Sequence, residues 1–313
     1  MTFLALGCMN FGQRTPEDES RRIIDLALDA GIRVLDTANV YNDGESEHVV
    51  GRALARLPAA RRAEVQIHTK VGFGQGDGQR EGLGAQAVRR AIDASLERLG
   101  VERIDVYYLH VPDRATPIEE TLEAMAELVH AGKIAAIGVS NYASWEILEM
   151  IAVCTRLGVA PPAISQLIYN VLIRQIEIEY VRFATRYKLH TTVYNPLAGG
   201  LLAKDYDPVA DAPAGTRFAT SSMYVGRYWT PIMHDAAATL RAAAAEHGRT
   251  SLELAYGWLR DRPGADSVLV GPATTKHLAD ATAAWERPLP PELIDRADGV
   301  WAAMVGTDAR YAR

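Results

Sequence analysis

The sequence predicts an α/β protein in which eight parallel strands close into a (β/α)8 barrel, with residues 1–313 forming a single catalytic domain. Three observations carry the prediction. Eight short, β-branched apolar runs alternate from end to end with longer segments whose apolar residues recur every three or four positions. The runs are apolar almost throughout, as expected of parallel strands covered by helices. No linker interrupts the series. An open doubly wound sheet uses the same units and is the structural competitor, but eight strands in one unbroken run favour the barrel.

The elements follow in order. "FLAL" opens the chain as the first strand, and "EDESRRIIDLALDAG" reads as a helix closed by glycine. "IRVLDT" and "VQIHTK" are the second and third strands, followed by the helix "AQAVRRAIDASLERLG". "IDVYYLH" is the fourth strand, "IEETLEAMAELVHAGK" its helix, and "IAAIGVS" the fifth strand before the helix "SWEILEMIAVCTRLG". "ISQLIYN" and "TTVYNP" are the sixth and seventh. From Gly199 to Trp229 the pattern breaks into a long loop rich in Gly, Pro and aromatics, too long for a routine connection and read as a lid over the barrel mouth. "RAAAAE" and "SLELAYGWLRD" read as helix, "SVLVGP" as the eighth strand and "PPELIDRADGVWAAMV" as a C-terminal helical tail.

Composition narrows the function. The chain is 48% hydrophobic and 23% charged with a formal net charge of −6, and its Lys and Arg are dispersed. That offers no basic stripe for a phosphate backbone, so nucleic acid is not expected as a partner. Two cysteines, Cys8 and Cys154, make no disulfide framework or Cys-x-x-Cys pair, which fits a reducing cytoplasmic setting. No apolar run approaches the roughly 20 residues needed to cross a bilayer, so no membrane is expected. The N-terminus has no basic region ahead of its apolar stretch, and export is not expected. No His-Glu-x-x-His, EF-hand or Cys/His cluster is present, so no metal is expected.

In a barrel the chemistry sits at the C-terminal ends of the strands. Three consecutive strands end on ionisable groups: Asp36, Lys70 and His110. Adjacent strands lie about 5 Å apart, so these groups can converge, with Tyr41 arriving from the loop after Asp36. Singly each has an ordinary explanation, as a cap, a solvated charge, a core histidine or a packing aromatic. Jointly they form a proton-delivery group. An ammonium favours a tyrosinate and lowers the tyrosine pKa, and Lys70 supplies that charge while Asp36 keeps it paired. His110 then polarises a carbonyl oxygen and Tyr41 delivers a proton. Later strand ends present amides, a hydroxyl and a flat ring in Ser140, Asn141, Gln166 and Tyr194. These suit a carboxamide and a stacked heterocycle. "GFGQGDG" lacks G-x-G-x-x-G spacing and opens no helix in a first βαβ unit, so it reads as a loop beside the mouth.

"LDTANVY", "HTK", "YYLH", "GVSNY", "QLIYN" and "YNPLAGGLL", in this order, resemble the aldo-keto reductases, nicotinamide-dependent carbonyl reductases built on a TIM barrel. "PDRATPIEETLEA", "SNYASWEI", "GRYW" and the terminal "YAR" are similar to the aflatoxin-aldehyde and succinic-semialdehyde reductase branch. The resemblance implies Tyr41 as general acid, with Asp36, Lys70 and His110 completing a tetrad. It implies that Ser140, Asn141 and Gln166 hold the nicotinamide carboxamide, that Tyr194 stacks on the ring, and that Asn195, Leu197, Gly199 and Gly271 border the cofactor. Thr274, Lys276, His277 and Asp280 would meet the adenosine end, although Ala281 replaces the usual Asn, and NADPH is expected ahead of NADH. Lys204 lies one position from its place in the branch pattern. Arg227 and Arg313 would grip an acidic substrate. A small carbonyl compound is the expected partner, a homodimer is implied, and two other readings stay open: a biosynthetic ketoreductase and a low-turnover NADPH-sensing regulatory subunit.

Overall fold

In the computed structural model, which describes residues 2–74, 81–207 and 212–307, eight parallel strands close into a barrel in sequence order. They are β1 Phe3–Gly7, β2 Val34–Asp36, β3 Gln66–Val71, β4 Ile104–Leu109, β5 Ile134–Ser140, β6 Ile164–Ile168, β7 His190–Tyr194 and β8 Ser267–Val270. β8 closes on β1 through the pairs Leu4 with Val268 and Leu6 with Val270. All eight strands expected from the sequence are present.

Side chains alternate across each strand, so one set faces the helices and the other the barrel axis. Leu6, Leu35, Ile67, Tyr107, Leu109, Val139, Val193 and Val268 belong to the large buried cluster that also contains the helix faces. Ala5, Val34 and Leu269 form a separate small cluster with Tyr194 against it. Many of the remaining axial residues are polar and buried, among them Asp36, His68, Lys70, Tyr108, Gln166, Thr192 and Ser267. A barrel interior is ordinarily filled with branched aliphatics, so this one carries an unusual polar centre. Gly138 makes room for it. A Cβ there would lie 2.5 Å from the Tyr108 ring, which occupies the space a larger residue would need.

Helices expected between the strands are found, including Glu17–Asp29 with its acidic first turn, Ala85–Leu99 ending on left-handed Gly100, and the tail Pro291–Val305. An acidic first turn and a glycine just past the end suit helix electrostatics and helix termination respectively. The long loop after β7 corrects the sequence reading, because Arg217–Thr220 and Ser222–Tyr228 are helical. Thr216 caps the first by accepting from the Ala219 amide, and Phe218, Tyr224 and Tyr228 bury their rings. Those aromatics supply the packing that short helices need. Residues 75–80 of the Gly-rich stretch after β3 lie outside the described residues.

Candidate active site

The C-terminal mouth of the barrel opens into a cavity of about 1040 Å³. At its floor, Lys70 Nζ donates to Asp36 Oδ1 and, at 2.7 Å, to the Thr37 carbonyl, while Gln166 Nε2 donates to Asp36 Oδ2 at 2.8 Å. Lys70 and Asp36 are buried with side chains 0% and 3% exposed. Burial pushes the Asp36 carboxyl above its ordinary range, against the pull of Lys70 and Gln166. Lys70 Nζ also lies 5.3 Å from the centre of the Tyr41 ring.

Tyr41 opens a short turn held in an uncommon conformation, with Asn42 and Asp43 at φ 53° and 55°. Asn42 compensates by donating to the Phe11 and Met9 carbonyls at 2.6 and 3.1 Å. Ser46 fastens the next helix to the Cys8 carbonyl at 2.8 Å. The turn therefore carries Tyr41 over the Lys70–Asp36 pair. Its ring meets His110 edge-on, with centroids 5.7 Å apart and planes at 80°.

The protonation states differ in one respect from the sequence reading. Tyr41 is not lowered by Lys70 in the resting site; burial first, and then the Asp36 charge, raise it well above its ordinary value. Tyr41 is therefore held as the neutral phenol. Burial and the Lys70 charge drive His110 well below its ordinary range, leaving a neutral imidazole whose Nδ1 is buried and has no partner among the described residues. The site is thus set with a neutral donor and a protonated acid.

Asn141, at φ 64°, donates from Nδ2 to the His110 carbonyl at 3.1 Å and to Ser140 Oγ at 3.0 Å. Tyr194 donates its hydroxyl to Asn141 Oδ1 at 2.7 Å. Ser140, Asn141, Gln166, Tyr194, Asn195, Leu197, Gly199, Gly271, Lys276, His277, Asp280 and Arg227 all line the cavity with Tyr41, Asp36 and His110. Three placements differ from expectation. Gln166 commits its amide nitrogen to Asp36, Thr274 spends its hydroxyl capping the helix Thr275–Trp285, and Lys276 is paired with Asp280 at 2.6 Å. Short side chains at helix starts and i,i+4 charges find local partners first. Arg313 lies outside the described residues.

The sequence reading missed Arg14 and Arg217, which line the same cavity. Arg14 donates to the Gly215 carbonyl at 3.2 Å, and Arg217 donates to Tyr224 Oη at 2.7 Å and Asn10 Oδ1 at 3.2 Å. Among the described residues neither pairs with a carboxylate, and burial together with the Arg217 charge lowers Arg14 from its ordinary value. An anion between them would relieve that repulsion. Their one signal was their position, in stretches between strands that the strand pattern leaves unread.

The residues present fit a nicotinamide dinucleotide. The cavity is at the upper end of ligand-site volumes. Among the described residues its walls carry the cations Arg14, Lys204, Arg217, Arg227 and Lys276 against the acids Asp36 and Asp280, and a Cβ at Gly271 would project into open space. The same cavity thus presents amides, a flat ring and a surplus of cations.

Fold and site together define an oxidoreductase-type barrel with an acid-base group beneath an anion-receiving mouth. The chain matches the aldo/keto reductase family over residues 3–302. It is 33% identical to human aldo-keto reductase family 7 member A3 (98% of this chain, 96% of that protein) and 32% identical to mouse aflatoxin B1 aldehyde reductase member 2 (98% and 87%). A rice protein named probable voltage-gated potassium channel subunit beta is 30% identical (93% and 90%). The chain belongs to the aldo/keto reductase family, whose members are oxidoreductases that generally use nicotinamide cofactors.

Proposed function

We propose that the protein reduces an aldehyde or ketone to an alcohol using NADPH, with Tyr41 as general acid. The observation that carries the reading is the buried Lys70–Asp36 pair set beneath Tyr41 and beside neutral His110. When bound, the cofactor supplies a hydride. Asn141, Ser140 and Tyr194 orient its nicotinamide end, and Arg14, Arg217 and Lys204 receive its phosphates. His110 donates a hydrogen bond to the carbonyl oxygen, which draws the substrate to the acid. Tyr41 gives its proton to that oxygen as negative charge develops there, and the nearby Lys70 ammonium stabilises the phenolate left behind. The preference for NADPH rests on the surplus of cations around the mouth, although Asp280 weakens the contribution of Lys276.

Arg227, half-buried in the cavity wall and interacting with the Tyr194 hydroxyl, would receive the carboxylate of an acidic aldehyde. The reading includes cytoplasmic operation, consistent with Cys8 and Cys154 as buried free thiols. A panel of aldehydes and ketones, followed by loss of reduced-nicotinamide absorbance, tests it. The rice relative's name favours one alternative, a regulatory subunit that binds cofactor and turns over little. Multiple turnovers with 4-nitrobenzaldehyde would exclude that alternative, and a single turnover would support it.

A further inference from the structure

A second cavity, of about 230 Å³, lies inside the barrel at its opposite, N-terminal end. Its walls are axial residues, among them Gln66 and His68 on β3, His190 and Thr192 on β7 and Ser267 on β8. Phe3 at its rim is 44% exposed, so solvent reaches the opening. Asp36 and Leu269 line both this cavity and the catalytic mouth. The carboxylate that pairs with Lys70 is therefore the partition between the two ends of the barrel.

The polar residues of the wall are connected to one another. His190 Nε2 lies 2.9 Å from Ser267 Oγ, which lies 2.8 Å from Thr192 Oγ1. The Tyr108 hydroxyl interacts with Thr192 and Gln166 and sits 3.5 Å from His68 Nδ1. His68 is 5% exposed, and its Nε2 has no hydrogen-bond partner among the described residues. An unsatisfied buried polar atom is costly, and such atoms are ordinarily met by water where polar partners and room are present, at about 30 Å³ per molecule. The cavity is roomy enough, and although much of its lining is apolar (Ala5, Val34, Ile164 and Leu269), Asp36, His68, His190 and Ser267 give a water polar partners there.

We propose that this cavity is a water-filled proton inlet, through which the proton that Tyr41 spends is replaced from the N-terminal face by way of Asp36 and Lys70. The proposal rests on the reductase reading above. Cofactor and substrate in the mouth would cover Tyr41 from that side, whereas Asp36 also faces the lower cavity. Each turnover consumes one hydride and one proton. The Tyr41 O–H bond breaks as the alcohol O–H forms, leaving a phenolate. Lys70 passes a proton to the phenolate and recovers one from Asp36, which takes it from a hydrated proton in the lower cavity. The titratable groups facing this route are Lys70 and Asp36 at its inner end, His68 and Tyr108 along it, and His190 with Asp266 at the rim. His68 is held neutral, near a pKa of about 3, by burial and by the Lys70 and His190 charges, so it can accept a hydrogen bond from a passing water.

Two variants test the inlet: Ala5→Leu, which fills the lower cavity, and His190→Phe, which closes its half-buried rim. Stopped-flow mixing in weak buffer with a pH indicator follows proton uptake alongside loss of reduced-nicotinamide absorbance in the first turnover. In the unaltered protein, uptake keeps pace with the hydride step. In each folded variant the hydride step should stay within about twofold, while proton uptake falls behind by about tenfold or more. Uptake that remains in step with hydride transfer in either folded variant overturns the inlet. Absence of hydride transfer to any carbonyl in the unaltered protein refutes the reductase reading instead, and the inlet with it.

Discussion

Lys70→Met should cost the protein much of its stability at pH 8, and the structure supplies the magnitude. Lys70 and Asp36 have side chains 0% and 3% exposed, and Asp36 would keep only the 2.8 Å hydrogen bond from Gln166. Removing one partner of a buried ion pair strands the other charge, at a cost of about 3–5 kcal/mol. For 313 residues, with an unfolding entropy of about 2.1 cal/mol/K per residue, that corresponds to about 5–8 °C in Tm. The pH dependence has a definite sign. Burial already raises Asp36 with Lys70 present, and without Lys70 the folded carboxyl would bind its proton more tightly still than the unfolded chain does. The deficit relative to the parent is therefore largest above the raised folded pKa and shrinks as pH falls. Adding Asp36→Asn should recover most of the loss, because the stranded charge is gone. Urea denaturation of parent, both single variants and the double variant at pH 8 and pH 5 makes the measurement. A loss below about 1 kcal/mol at pH 8, the scale of an exposed pair, or a deficit that grows on acidification, would refute the reasoning.

Three further outcomes follow. Arg227→Ala should raise KM for succinic semialdehyde by about 10- to 100-fold, the worth of a charge-assisted hydrogen bond of about 1.5–3 kcal/mol, and leave uncharged 4-nitrobenzaldehyde unaffected; an unchanged KM for the acid removes Arg227 from substrate binding. His68 falls from an ordinary 6.5 to about 3 on folding, so it contributes stability that is full above about pH 6.5 and is lost as pH falls, by about 2 kcal/mol at pH 5. His68→Phe should flatten that part of the stability–pH curve, and an unchanged slope would contradict the assignment. NADPH should give a higher kcat/KM than NADH, and Arg217→Ala should narrow the difference; a higher value with NADH would overturn the cofactor preference.

The fold was legible because its signals are local. Each strand is a run of apolar residues bounded by polar turns, and "IAAIGVS" marks β5, Ile134–Ser140, at both ends. Asp36, Lys70 and His110 stood out because a charge or imidazole at the end of a buried strand is expensive unless it has a purpose. What the sequence concealed was of two kinds. Arg14 and Arg217 sit in stretches whose sequence shows no period, and the placing of Arg217 depends on the short helices Arg217–Thr220 and Ser222–Tyr228, whose stability comes from packing and not propensity. Gln166 and Tyr41 hid a competition between partners. Gln166 could serve a ligand or Asp36, and Tyr41 could feel Lys70 or the burial and carboxylate that outweigh it, and only the three-dimensional arrangement ranks those effects.

The account depends most on Tyr41 as the proton source, and Tyr41→Phe tests that most directly because it keeps the ring against His110 and removes only the hydroxyl. The account predicts that kcat for carbonyl reduction falls by about 10²- to 10⁴-fold, while NADPH affinity, measured by fluorescence titration, stays near that of the parent. Retention of most of the parent turnover by a folded Tyr41→Phe protein would contradict it.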